Sequence, residues 1–392
     1  MEAVKPELFV PDYPTLYPSM LIKRGARPAF APFDSENVHW FYFARNAVWT
    51  TVKMLGLDGG EVLVPSYHHG VEIEALADAG AKPVFYRVDA KWQTDLDDVR
   101  RKIGPKTKAL YLIHYNGFPG PVREMKKLAD EHGIPLIEDC ALSLLSKDGS
   151  VPLGTTGDVG IFCLYKALPV PNGGALVING DRRYTLPKLP PPGIPSVISH
   201  TASALLKNVE MRGGKFGRLA RSAVRAVGHG VVKAGSVERV ATGTMHFNRA
   251  HVDMGISPLT LRICEAQDMD KVVEIRRRNY FFLLGRLRDI SPPLFNELPA
   301  GVCPLFYPVV TDNKPEVFAR LQAMGINVVD FWRDYYAGCN PAEFPETMQV
   351  RNQIVEIPCH QDLDAETMDR VAGAVRTVLT ELRRRDAARA RG

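Results

Sequence analysis

The sequence predicts an α/β fold: a mostly parallel central sheet covered by helices, followed by a smaller C-terminal α+β domain. Three observations predict it. From Glu61 to Gly180, strand-like and helix-like stretches alternate with short connections, the pattern of a parallel sheet wrapped on both faces. The apolar run Ile134 to Ile137 ends in Glu138-Asp139, two acids at the carboxyl end of a buried strand, where open α/β sheets bind their ligands. A lone lysine, Lys166, stands between an apolar run and a Pro/Gly turn in G-I-F-C-L-Y-K-A-L-P-V-P-N-G-G.

In chain order, residues 1–35 are proline-rich and aperiodic, which predicts an extended arm of the kind that often lies on a neighbouring subunit. The large domain is expected over residues 36–260. It opens with Val48, Val52 and Leu55 at helical spacing, in a helix starting near Asn46 and ending at Gly56. A helix start exposes amide groups and a positive dipole end, so Arg45, Asn46 and Ala47 form a candidate phosphate cradle. E-V-L-V-P, P-V-F-Y-R-V-D, A-L-Y-L-I-H-Y and I-P-L-I-E-D read as strands, and Val71 to Ala79, Leu96 to Ile103 and Val122 to His132 as helices between them. His68 and His69 follow Pro65 just past a strand end, where a flat ring can cover a flat ligand.

An insertion at about 182–252 interrupts this pattern. Between residues 200 and 252 it holds nine Lys/Arg against two Glu, a local net charge of +7. Phe216, Leu219, Ala220, Ala223, Val224, Val227 and Val231 fall on one helical face, with Lys215, Arg218, Arg221 and Arg225 on the other. A packed insertion with a solvated face is the simplest reading. The alternatives are an anionic membrane surface contacted through 215–232, or a phosphorylated substrate gathered there. Residues 261–392 read as one long charged helix from Cys264 to Leu287 and then the small domain, with P-L-F-Y-P-V-V and Q-I-V-E-I-P-C-H as strands and Pro315 to Met324 and Ala365 to Arg385 as helices.

Composition narrows the function. The 392 residues are 45% hydrophobic, enough for sizeable packed cores, and carry a net charge of only +5, too little to imply nucleic acid. Six cysteines show neither C-x-x-C pairs nor metal-ligand spacing, so free thiols in a reducing compartment are expected. With no signal-peptide pattern and no membrane-length apolar run, the cytoplasm is the expected location.

Lys166 and Asp139 carry the chemistry. An amine held among Ile161, Phe162, Leu164 and Tyr165 loses proton affinity and becomes nucleophilic, as a Schiff-base lysine requires. Pyridoxal phosphate needs such an amine for its aldehyde and a carboxylate that keeps its ring nitrogen protonated, and Asp139 suits the second role.

Together with A-R-N-A-V, V-P-S-Y-H-H-G-V-E-I-E-A-L, K-T-K-A-L-Y-L-I-H-Y-N-G-F-P-G and the tail I-P-C-H-Q-D-L-D-A-E-T-M-D-R-V, these stretches resemble the DegT/DnrJ/StrS-type sugar aminotransferases within the fold-type-I pyridoxal-phosphate enzymes. The resemblance implies a homodimer that transfers an amino group from an amino-acid donor to a keto sugar, often nucleotide-linked, in polysaccharide or glycoconjugate biosynthesis. It implies Lys166 as the cofactor lysine, Asp139 as the pyridinium partner, His69 as the ring-stacking group and Arg45-Asn46 as the phosphate-holding dipeptide. Cys163, three residues before the lysine, falls at a cofactor-binding position although sulfur is a weak donor. His114 and Asn116 in the H-x-x-G turn, and Asn172 where the family has Glu in G-E-G-G, are the implied substrate contacts. The sequence departs from the family at Leu142 and Ile161, where polar groups are usual, and M-G-I-S-P-L-T-L-R lacks the Asn of the family's G-x-N-x-R. A lyase or dehydratase on the same cofactor, or a non-catalytic sensor or scaffold, are the competing functions. No metal is expected.

Overall fold

The computed structural model describes residues 8–22, 30–234, 240 and 244–389. Strands β1 (Val38–Phe41), β2 (Glu61–Pro65), β3 (Lys82–Tyr86), β4 (Thr107–Ile113) and β5 (Leu136–Cys140) are followed by a small hairpin of β6 (Lys147–Asp148) and β7 (Val151–Pro152), then β8 (Val159–Cys163) and β9 (Gly174–Ile178). All but the hairpin join one seven-stranded sheet in the order β1-β9-β8-β5-β4-β2-β3. Pairing is parallel from β3 through β8 and antiparallel at β8·β9 and β1·β9. Helices α1 (Ala44–Met54), α2 (Val71–Asp78), α3 (Leu96–Lys102) and α4 (Val122–Glu131) connect these strands. The middle strands are buried along their length, as Val/Ile/Leu-rich parallel strands must be when helices cover both faces.

The antiparallel edge positions the lysine. Lys166 lies in the segment joining β8 to β9, so the chain reverses at the sheet edge instead of crossing over through a helix. A Cβ on Gly174 would come 2.3 Å from the carbonyl carbon of Phe43, so only glycine lets β9 pass this close to the start of α1. Gly173, at φ 140°, provides the turn into it.

Downstream come α5 (Ile194–Ala234), α6 (Pro258–Glu265), α7 (Met269–Leu287), β10 (Phe306–Val310), α8 (Lys314–Ala323), α9 (Pro345–Gln353), β11 (Ile354–Pro358) and α10 (Ala365–Arg389). Strands β10 and β11 pair antiparallel, and Leu283, Val309, Val317, Val355, Val371 and Val375 build a second core around them. The single helix expected from Cys264 to Leu287 is instead two. The carboxylate of Asp268 accepts the Lys271 N–H (3.1 Å) and caps α7, so the chain restarts there.

Glu356, inside β11, is fully buried, and its Oε2 has no hydrogen-bond partner among the described residues. Burial pushes its carboxyl up to about 8, against the opposing pull of Lys314. The folded state therefore holds a proton that the unfolded chain has lost, and this contribution to stability is present below the ordinary glutamate pKa and is lost as pH rises through about 8. Glu356→Gln is expected to remove up to about 1.4 kcal/mol per pH unit of stability loss between roughly pH 5 and 8. Thermal melts across that range check it; an unchanged slope against pH would exclude a protonated Glu356.

Residues 8–22 lie on their own chain: Val10 bridges Ile326, Pro11 O pairs with His360 Nε2 (3.0 Å), and Thr15 Oγ1 donates to Asp362 (2.8 Å) while accepting from Asn208 Nδ2 (2.8 Å). The arm thus fills a groove between α5 and the C-terminal core. Helix α5 breaks at Gly214, where φ is 52°. Beyond it, the side chains of residues 215, 220, 221 and 223–234 lie outside the described residues, so most of the predicted two-faced pattern does too. Phe216 and Leu219 are 86% and 70% exposed, and Arg218 faces Glu210 (3.6 Å). Among the described residues, no helix is long and apolar enough to cross a membrane.

Candidate functional site

A cavity of about 550 Å³ opens at the carboxyl ends of the parallel strands, and Asp139, Cys163, Lys166, His69, Ala44 and Arg45 line it. Its size suits a cofactor or small ligand. Asp139 is the last residue but one of β5, and Lys166 follows β8, its parallel neighbour, so adjacent strands deliver the acid and the amine to one edge. Lys166 is half-buried, with Nζ 5.8 Å from the centroid of the Phe331 ring.

The Asp139 carboxylate accepts the Tyr111 hydroxyl (2.6 Å) and the Ala141 N–H (2.8 Å). Burial, joined by the nearby negative charge of Glu72, pushes its pKa up. It is an acid held where a cationic partner would relieve it. Glu72 lines the same cavity, accepts the His69 N–H (2.8 Å), and is likewise pushed up by burial. His69 is pushed down to about 4, first by burial and then by Lys166 and Arg45, so its ring is neutral at physiological pH; its buried Nδ1 has no partner. His68 faces the core instead, with Nδ1 on Pro65 O (3.0 Å) and Nε2 accepting the Tyr336 N–H (3.1 Å).

Several expected site residues lie elsewhere. Helix α1 starts at Ala44, two residues before the expected point, and has no side-chain cap, so Phe43, Ala44 and Arg45 face the cavity. Asn46 points away, donating to His251 O (2.7 Å), and Asn46 and Ala47 are fully buried off the cavity wall. Of the expected cradle Arg45-Asn46-Ala47, only Arg45 lines the cavity, beside Ala44, and its guanidinium rests 3.7 Å from the centroid of the Phe43 ring.

The three implied substrate contacts are not on the wall either. His114 is buried, its Nδ1 accepting the Gly120 N–H (3.0 Å) and its Nε2 meeting Glu138 (2.9 Å). Burial pushes Glu138 up, but His114 and the amides of Gly157 and Gly154 outweigh it and hold the carboxyl below its usual range. Asn116 clasps both backbone groups of Phe306 (2.8 and 2.9 Å), joining the large domain to β10, and Asn172 accepts from Ser257 N (3.1 Å). Their hydrogen bonds run to Glu138 and Gly120, to Phe306 and to Ser257, all off the cavity wall. Cys163 is on the wall with its thiol pushed up by burial, and the two departures Leu142 and Ile161 make the same wall apolar. The groups that sequence reading missed are Glu72, Asp12 and Tyr13 on the arm, and His200, Ser203 and Lys207 on α5. Only the local excess of positive charge hinted at the last of these.

The residues present fit pyridoxal phosphate. The donor set pairs an amine with a carboxyl lacking a cation; the buried imidazole has an unpartnered nitrogen; and an uncapped helix start faces the same space. Fold and site together define a fold-type-I pyridoxal-phosphate transferase architecture. Residues 44–188 match the family model described as the DegT/DnrJ/EryC1/StrS aminotransferase family, in line with the resemblance read from the sequence. The chain is 34% identical over 139 residues to a GDP-perosamine synthase from Vibrio cholerae, a match covering 34% of this chain and 38% of that one. It is 24% identical over 356 residues, 86% of this chain and 84% of the other, to a dTDP-3-amino-3,4,6-trideoxy-alpha-D-glucose transaminase from Micromonospora megalomicea subsp. nigra. The aminotransferase TlmJ from Streptoalloteichus hindustanus superposes with a TM-score of 0.62 at 25% identity, covering 88% of this chain and 87% of that one. The first curated relatives are matched over 34–39% of their own length.

Proposed function

We propose that this chain is a pyridoxal-phosphate-dependent aminotransferase that moves an amino group from an amino-acid donor to a keto sugar in glycoconjugate biosynthesis. The observation that carries this reading is the convergence of Lys166 and Asp139 on one cavity floored by the start of α1. Sugar specificity is supported by the relatives, which are named as synthases and transaminases of nucleotide-linked sugars.

When bound, the cofactor supplies an electron-withdrawing ring that stabilises charge at the donor's α-carbon. The chain does the rest. Lys166 would hold the aldehyde, and its free amine would serve as the general base for the proton on the donor's α-carbon. Asp139, fixed by Tyr111 and Ala141, keeps the ring nitrogen protonated, an electrostatic preference of a few kcal/mol in a partly dry site. The neutral His69 ring would stack on the cofactor, and the start of α1 at Ala44-Arg45 would hold its phosphate. Leu142 and Ile161 make part of the wall apolar.

A homodimer fits the family resemblance and the exposed Ile194 and Ile198 on α5, 73% and 61% accessible. Six buried free cysteines suit a reducing cytoplasm. Purified protein tests the function. A yellow species that bleaches with glutamate and returns with a nucleotide-linked keto sugar is the expected result. Bleaching without recovery would favour the lyase, and a colourless protein the sensor.

A further inference from the structure

Part of the cavity lining comes from segments outside the family resemblance: Asp12, Tyr13 and Pro14 of the arm, and His200, Ser203, Ala204 and Lys207 of α5, which meet at Asp12 and Lys207. Their spacing of three, four and seven residues puts all four α5 side chains on one helical face, turned to the cavity. The basic insertion is therefore part of the site and not a separate packed appendage.

Three lining residues are lysine or arginine: Arg45, Lys166 and Lys207. Arg45 is stacked on Phe43 at the start of α1, and Lys166 is committed to the cofactor aldehyde. Lys207 remains. Its Nζ donates to Asp12 Oδ1 at 2.9 Å, and both side chains are 29% exposed, so the pair stands at the cavity mouth in contact with water. Such half-exposed pairs are weak and exchange partners readily. The backbone around Asp12 is held without it, by Pro11 O on His360 and by Thr15 on Asp362 and Asn208. Asp12 can release Lys207 while the arm stays in place.

We propose that Lys207 is the binding site for the anionic group of a substrate, and that Asp12 occupies it as an internal carboxylate which the incoming anion displaces. This rests on the aminotransferase reading for its substrates, both of which are anions: the carboxylate of the amino-acid donor and the diphosphate of a nucleotide-linked sugar. The exchange replaces one oxyanion by another on the same ammonium, so it costs little and leaves no buried charge unpaired.

The test uses the holoenzyme and two probes, 2-oxoglutarate and dTDP, titrated separately by calorimetry. Lys207→Gln is expected to weaken one of them about tenfold, Lys207→Arg to restore most of the loss, and Asp12→Asn to tighten the same probe about threefold by removing its competitor. Weakening of 2-oxoglutarate assigns the site to the donor; weakening of dTDP assigns it to the sugar nucleotide. In turnover, Lys207→Gln raises KM for that substrate more than it lowers kcat. If Lys207→Gln and Asp12→Asn weaken binding alike, or neither changes it, the pair only fastens the arm and the proposal falls. Calorimetry needs no turnover, so Lys207-dependent binding in an inactive protein would overturn the catalytic reading alone.

Discussion

Replacing Lys166 by alanine is expected to abolish the coloured cofactor adduct and to lower turnover by about 10⁴-fold, with the thermal midpoint almost unchanged. On the proposed reading one amine serves both for the aldehyde and for the proton on the donor's α-carbon, so its loss removes covalent attachment and proton transfer together. The fold survives because Lys166 is half-buried in a connection, with its amine over the Phe331 face and not locked in the core. Absorbance of the purified variant and single-turnover assays with glutamate check it. Normal turnover would refute the assignment.

Asp139→Asn is expected to keep the colour while lowering kcat by about 10²- to 10³-fold. The amide oxygen can still accept the Tyr111 hydroxyl or the Ala141 N–H, so the side chain stays in place. What is lost is the negative charge that keeps a pyridine nitrogen protonated, and with it the driving force for removing the donor's α-proton. The pushed-up pKa of Asp139 adds a sign: without a cationic partner its carboxyl resists ionisation, and a bound pyridinium pulls it back down. The Asn variant should therefore lose the acidic limb that this group gives to the rate–pH profile. Wild-type kcat in Asp139→Asn would show that another group, with Glu72 the nearest carboxylate, does this work.

How far the sequence could be read differs from residue to residue. Strands β2 to β5 and helices α2 to α4 were legible because burial on both faces imposes apolar runs of period-specific spacing, and those patterns are local. Lys166 and Asp139 were legible for a related reason: a charged residue abutting a fully buried strand is costly unless a ligand meets it. The break at Asp268 was overlooked because its cap competes with an otherwise continuous helical pattern. That Asn46, His114, Asn116 and Asn172 lie off the cavity wall is not legible in the sequence, for one shared cause. Each is a polar side chain beside a turn, and whether it faces a ligand or a distant backbone group depends on what the chain brings there from tens to hundreds of residues away, such as His251 for Asn46 and Phe306 for Asn116.

By itself the sequence determined the layered α/β plan, the amine and the acid at its edge, and the cofactor they suit, since each follows from short-range periodicity and the cost of burying charge. Only the tertiary structure decided where α1 begins, that the arm lies on its own chain, and that α5 turns Lys207 toward the cavity. Those outcomes rest on long-range hydrogen bonds and one close glycine contact, Gly174 against Phe43, whose partners lie far apart along the chain.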